Sequence, residues 1–263
     1  MNIPEKEKII YHIDMSVTKN LQEEIDRTWD KYVCYNIFNV PEQDYEALYI
    51  GLAEQIGIVQ QRISVNGGGK MANARDLKYD PNIYHFFASN TRQPLHTDCA
   101  YYQESYSSDW LMLYCMDVSE FGGMTHILSV KTLKYVLEKY NPELLEKIKI
   151  DINWKYMGPK GEIIHTRPLF DGDQINWNYW QIKEELNSPE VMSVRQDFFD
   201  FMEDFVQAGR IFDFSKKWNR GDCIIFNDHL ALHGRDAFLG NNMWLRYSAL
   251  KNKDNKQTDS REL

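Results

Sequence analysis

From Arg220 to Arg246 the chain reads RGDCIIFNDHLALHGRDAFLGNNMWLR, and this stretch constrains the fold more than any other. It opens on a turn pair, Gly221-Asp222. Cys223 to Phe226 is a short apolar run bounded by turn residues, the pattern of a buried strand. A polar loop, Asn227-Asp228-His229, leads to His233-Gly234-Arg235. A Gly240-Asn241-Asn242 turn then precedes a last apolar segment that carries Arg246. A histidine ending one strand and an arginine inside the next suggest a metal ligand beside an anion-binding guanidinium. A surface loop between two core strands is the competing reading of this stretch alone.

The partner of this stretch lies far upstream, in Gln93-Pro94-Leu95-His96-Thr97-Asp98. Residues i and i+2 of an extended segment point to the same side, so His96 and Asp98 can converge while Thr97 points away. Two histidines and a carboxylate on one face of an octahedron hold non-haem Fe(II) and leave sites open for a cosubstrate and O2. The chain has seven histidines, and His12-Ile13-Asp14 repeats the His-x-Asp spacing. Only His96 has a distal His-Gly-Arg and an Arg-bearing strand to answer it.

Taken together, Gly221-Asp222, Phe226, His233-Gly234-Arg235 and Ala237-Phe238 resemble the C-terminal signature of the taurine dioxygenase-like and clavaminate synthase-like Fe(II)/2-oxoglutarate oxygenases. The motifs span roughly residues 90 to 250. The resemblance implies that His96, Asp98 and His233 hold the iron. It implies that Arg246 grips the far carboxylate of 2-oxoglutarate, helped by Thr125 of Gly122-Gly123-Met124-Thr125. It implies oxidation of an unactivated C–H bond of a small metabolite, by default hydroxylation, with O2 consumed and succinate and CO2 released. An amino acid or a derivative of one is the expected substrate, free or attached to a carrier. Family halogenases carry a small residue in place of the carboxylate ligand, so Asp98 argues against halogenation.

Bulk properties agree with an enzyme of this kind. At 263 residues, with 43% hydrophobic and 14% aromatic content, the chain can build an ample core in one domain. A net charge of -9 argues against a nucleic-acid partner, which calls for a basic footprint. The four cysteines are widely spaced and form no C-x-x-C pair for zinc or redox work. No apolar stretch approaches the ~18 residues of a membrane span, and no secretory signal is evident at the N-terminus; a reducing cytoplasm is the expected location.

The expected architecture is mainly β with flanking helices, a double-stranded β-helix or cupin-like jelly-roll, because many short strands alternate with inserted helices. Residues 1–60 read as a helix-strand-helix lead-in, 61–92 as a lid or loop, 93–250 as the jelly-roll, and 251–263 as a frayed polar tail. Ser16 is the expected cap of a first helix through Leu21, Ile25 and Trp29. Pro41 is expected to open a second, through Ala47, Leu52 and Ile56 to Gly57. Ser129 should cap a third, and Ser188-Pro189 a long amphipathic one ending at Gly209. Ile148, Ile150 and Ile152 alternate with charge and predict a strand over 147–154. His165–Phe170 and Ile175–Tyr179 predict a hairpin.

Asn66, Arg75, His165, Arg167 and Asn178 are the candidate substrate contacts. Asn66-Gly67-Gly68-Gly69-Lys70 fails the phosphate-loop pattern, since Met71 stands where Ser or Thr is required. His229, four residues before His233, reads as a loop residue, and His126 and His85 as packed or hydrogen-bonded. Arg235 is expected to orient its loop through an ion pair, with direct cosubstrate contact the second reading. Two other functions stay open: a catalytically silent jelly-roll that binds a metabolite, and a zinc hydrolase, in which Arg246 and Thr125 would have no role.

Overall fold

The computed structural model describes residues 9–64, 70–83, 88–101, 107–149, 154–157 and 164–253. In chain order the N-terminal part contains β1 (Ile10–Asp14), α1 (Leu21–Thr28), β2 (Cys34–Phe38), α2 (Tyr45–Ile56), β3 (Ile58–Gln60), β4 (Arg62–Ser64), β5 (Lys70–Ala72) and β6 (Arg75–Lys78). The central part contains β7 (Gln93–His96), β8 (Trp110–Asp117), β9 (Phe121–Gly122), β10 (Thr125–Ser129), α3 (Val130–Tyr140), α4 (Pro142–Lys149), β11 (Trp154–Met157), β12 (Ile164–Arg167), β13 (Phe170–Asp171) and β14 (Gln174–Ile175). The rest contains α5 (Pro189–Asp200), β15 (Phe214–Lys216), β16 (Cys223–Asn227), β17 (Ala231–Arg235), β18 (Phe238–Leu239) and β19 (Trp244–Lys251).

Two sheets face each other. The larger runs β1-β2-β16-β8-β19-β3, with β6 also paired to β19; the smaller runs β15-β10-β17-β7. Following the core strands β6, β7, β8, β10, β15, β16, β17 and β19, the chain visits large, small, large, small, small, large, small and large sheets. This palindromic alternation is the jelly-roll winding, and it brings distant strands such as β7 and β17 side by side.

Apolar surface fixes the layers. In β8, Leu111, Leu113 and Cys115 face the small sheet and pack with Ile127, Ile224, Phe226 and Leu245. Trp110, Met112 and Tyr114 face the other way and pack with Tyr35, Tyr49 and Leu52 of β2 and α2. Both faces of β8 are therefore buried, which is why its sequence is continuously apolar rather than alternating. A third cluster, with Leu133, Leu137, Leu144, Ile148 and Phe198, covers the small sheet with α3, α4 and α5. Full burial of each such side chain stabilises by about 1.5–3 kcal/mol.

Local signals place the starts of α3 and α5. Ser129 accepts the Thr132 N–H at 3.1 Å and caps α3; Ser188 caps α5, with Pro189 in the first turn. A π-helical segment, Phe201–Gln207, extends α5 toward Gly209. Three local expectations fail. α1 is capped by Asn20, while Ser16 closes a turn on the Asp14 carboxylate. Pro41 lies before α2, whose cap is Asp44. Residues 147–149 end α4 instead of starting a strand, because Leu144, Leu145 and Ile148 share a helical face, each almost fully buried. The hairpin of the central region is β13–β14, turning at Gly172, whereas β12 pairs with β11. β6 is an addition: the stretch read as a lid supplies an edge strand to the large sheet.

Candidate metal centre

β7 carries His96 to the rim of the small sheet, directly opposite His233 of β17. The chain then turns into a 3-10 turn, Asp98–Tyr101. Thr97 points away: its N–H donates to the Trp177 carbonyl at 2.7 Å and its hydroxyl oxygen accepts the Trp177 N–H at 3.2 Å. With Thr97 pinned, Asp98 swings back over the histidines. One donor atom from each of His96, Asp98 and His233 lies within 4.8 Å of the others, the only such cluster among the described residues. Asp98 Oδ1 is 3.3 Å from His96 Nε2 and 3.9 Å from His233 Nε2.

The donors are prepared for a cation. The Nδ1–H of His96 donates to the Pro94 carbonyl at 2.8 Å, so that Nε2 faces the cluster. Burial, with the neighbouring His96, pulls His233 down to about 3 and keeps it neutral. Burial opposes ionisation of Asp98, but the His96 hydrogen bond and the charges of His233, His96 and Arg75 hold its carboxyl well below the usual range. Burial also opposes a charge on His96, yet Asp98 raises its pKa. A neutral imidazole, an ionised carboxylate and a second imidazole tied to that carboxylate form the donor set of a divalent transition metal.

A second carboxylate, not expected from sequence, supports the cluster from behind. Asp228 is fully buried; its Oδ1 accepts the Asp98 N–H at 3.2 Å and lies 3.7 Å from His233 Nδ1. In sequence it is one residue of a polar loop, and only the tertiary fold turns it inward. His229 sits apart from the cluster, its Nε2 3.5 Å from Asp109. His126 is packed on Phe212 and bonded to Ser215 and Asp236.

Arg246 does not reach the centre, which corrects the expectation for it. On β19, Leu245 and Tyr247 face the interior between the sheets, so Arg246 faces out toward α2. There it donates to Asp76 at 2.9 Å, Glu46 at 2.8 Å and the Ala74 carbonyl at 3.1 Å. Thr125 does face the interior; its hydroxyl oxygen accepts the Trp218 indole N–H at 3.1 Å. Arg235 is buried and forms no ion pair among the described residues: it donates to the Ser89 and Thr91 carbonyls and lies over the Phe238 ring.

Of the candidate substrate residues, Arg75 is at the centre. It sits opposite Tyr247 in the β6–β19 register, its guanidinium 4.2 Å over the Tyr247 ring and 3.7 Å from Asp98 Oδ2. Asn178 is nearly buried behind Thr97, and Arg167 donates to Asn176 at 3.2 Å. His165 lies in β12 opposite Tyr156. Asn66, like His85, lies outside the described residues.

Comparison with known proteins places the fold. No curated protein sequence matches the chain. An asparagine oxygenase in complex with Fe(II), 2S,3S-3-hydroxyasparagine and succinate superposes with a TM-score of 0.68 at 13% identity, covering 88% of this chain and 77% of its own. The non-haem iron oxygenase OrfP, in a variant bound to (3S)-hydroxy-L-Arg, gives 0.61 at 15% identity, covering 94% and 86%. The PvcB protein from Pseudomonas aeruginosa gives 0.60 at 16%, covering 89% and 84%. At these identities the likeness is one of fold. The family model described as "Taurine catabolism dioxygenase TauD, TfdA family" matches residues 4–248, nearly the whole chain. The chain therefore belongs to the TauD, TfdA family of Fe(II)- and 2-oxoglutarate-dependent oxygenases.

Proposed function

We propose that this enzyme hydroxylates a free amino acid or a close derivative, with His96, Asp98 and His233 as its iron ligands. The observation that carries the reading is the convergence of these three donors with one cation, Arg75, at their edge. Iron and 2-oxoglutarate, when bound, supply the oxidation: O2 is split, 2-oxoglutarate leaves as succinate and CO2, and one oxygen atom enters the substrate C–H bond.

The protein's own groups hold and aim the reactants. The Pro94 carbonyl holds the His96 ring and Asp228 holds the Asp98 N–H. Arg75 is steadied by the Tyr247 face, a cation–π contact. With Asp98 engaged by a metal, the Arg75 guanidinium beside it would be placed to pair with an incoming carboxylate. Its planar fork suits bidentate binding. A carrier-bound aminoacyl thioester has no such carboxylate, so Arg75 favours the free acid. The asparagine and arginine derivatives held by the fold relatives support the same class. A silent jelly-roll or a zinc hydrolase leaves the Arg75–Asp98 pairing without a purpose.

The test is anaerobic titration of the apo-protein with Fe(II) and 2-oxoglutarate, followed by a succinate-release screen of free L-amino acids. A visible charge-transfer band and amino-acid-dependent succinate are expected. Iron binding without the band, or succinate only with carrier-bound substrates, would overturn the reading.

A further inference from the structure

The outward orientation of Arg246 leaves the far carboxylate of 2-oxoglutarate without its expected partner. The interior face of β19 carries Leu245, Tyr247 and Ala249, with Met243 just before the strand, and no cation. Among the described residues, three cations from other strands remain for the interior. Arg75 lies against Asp98 at the iron ligands themselves. Lys216 is neutralised by Asp222 at 2.7 Å, both groups buried. Arg235 is the third.

Arg235 has the properties of an anion site awaiting its anion. It is 6% exposed. Among the described residues its contacts are two backbone carbonyls and the Phe238 ring, its Nε–H has no acceptor, and no carboxylate lies within ion-pair distance. Arg246 also leaves its Nε–H unpaired, but Asp76 and Glu46 match its charge. A buried guanidinium without a counterion is unfavourable, and an arriving carboxylate offsets that cost.

Position agrees. Arg235 follows His233 by two residues on β17, on the same face and roughly 7 Å further along the strand. That offset suits a five-carbon diacid held at the metal by its keto-acid end. Thr125 of β10 sits directly opposite Arg235 in register, facing the same interior. An indole N–H only donates, so the Trp218 bond occupies an acceptor site of Thr125 and leaves its O–H proton available.

We propose that the far carboxylate of 2-oxoglutarate is received by Arg235 and the Thr125 hydroxyl, from β17 and β10, and not by Arg246 of β19. This rests on the 2-oxoglutarate reading above, and the test separates the two. Anaerobic Fe(II)-loaded protein is titrated with 2-oxoglutarate and with 2-oxopentanoate, which has a methyl group in place of the far carboxylate; calorimetry and the visible band report binding. The wild type is expected to prefer 2-oxoglutarate by about tenfold or more, the scale of a charged hydrogen bond. Arg235→Gln should erase that preference while binding Fe(II) and 2-oxopentanoate as before, and Arg246→Gln should keep it. If Arg235→Gln fails to fold, Arg246→Gln still decides: a retained preference supports the assignment and a lost one overturns it. Arg235→Gln with its preference intact also overturns it. If the wild type with Fe(II) takes up neither acid, the 2-oxoglutarate reading itself falls.

Discussion

Arg246 and Asp76 face each other across β19 and β6, Nη1 to Oδ1 at 2.9 Å, on the side of the large sheet away from His96, Asp98 and His233. With Glu46 of α2 at 2.8 Å, this guanidinium ties a helix to an edge strand. Arg246→Gln leaves two carboxylates near each other without a cation, and should lower stability by about 1–3 kcal/mol. Denaturant midpoints check this. A variant of unchanged stability would show that the tie contributes nothing.

His233→Ala should abolish succinate formation and weaken Fe(II) binding strongly, while circular dichroism stays that of the wild type. Chelators should stop turnover reversibly, and Zn(II) should fill the site without supporting it. Normal succinate production by His233→Ala would remove the triad assignment.

Arg75→Met should raise the KM for the amino acid by roughly ten- to a hundredfold, the scale of a lost charged hydrogen-bond pair, with Fe(II) affinity nearly unchanged. Steady-state kinetics against the amino-acid substrate and its amide separate the effects. If acid and amide lose equally, Arg75 does not read the carboxylate.

Lys216→Met strands the Asp222 carboxylate, which is 1% exposed and is held by Lys216 and the Asn219 N–H. The expected loss is about 3–5 kcal/mol, and Lys216→Met with Asp222→Leu should recover part of it. Urea unfolding of the two variants measures the difference; equal losses would mean that the stranded charge is not the cause.

Asp109 gives a pH signature. Burial opposes its charge, but hydrogen bonds from His229 and the Asn252 N–H lower its pKa in the fold. A depressed carboxylate stabilises above its unfolded pKa of about 4, and that contribution fades as pH falls through the folded value. Asp109→Asn should therefore be less stable than wild type at pH 6, with the gap narrowing in acid. A constant gap from pH 6 to pH 3 would contradict this.

The proposed metal ligands could be picked out in the sequence because metal chemistry restricts residue type, and the fold brings the three together. His96-x-Asp98 and a distal His233 admit few other readings once a barrel joins them. Helix caps such as Ser129 and Ser188 were legible because they act within one turn. The alternation of Ile148, Ile150 and Ile152 misled, since Ile148 also completes a helical face with Leu144 and Leu145. Asp228 was not legible, because its role depends on two residues reached only through the fold.

By itself, then, the sequence pointed to which side chains could hold a metal, that many short strands with inserted helices would build a jelly-roll, and where α3 and α5 begin. The tertiary structure decided which face each arginine presents. Side chains alternate along a strand with period two, so a one-residue shift exchanges interior for exterior. The β8–β19 register shifts between Trp244 and Leu245, a step that counting residues from His233 cannot reveal. That register turns Arg246 outward to Asp76 and keeps Arg75 over Tyr247 beside Asp98, while the β10–β17 register sets Arg235 opposite Thr125, with no counterion among the described residues.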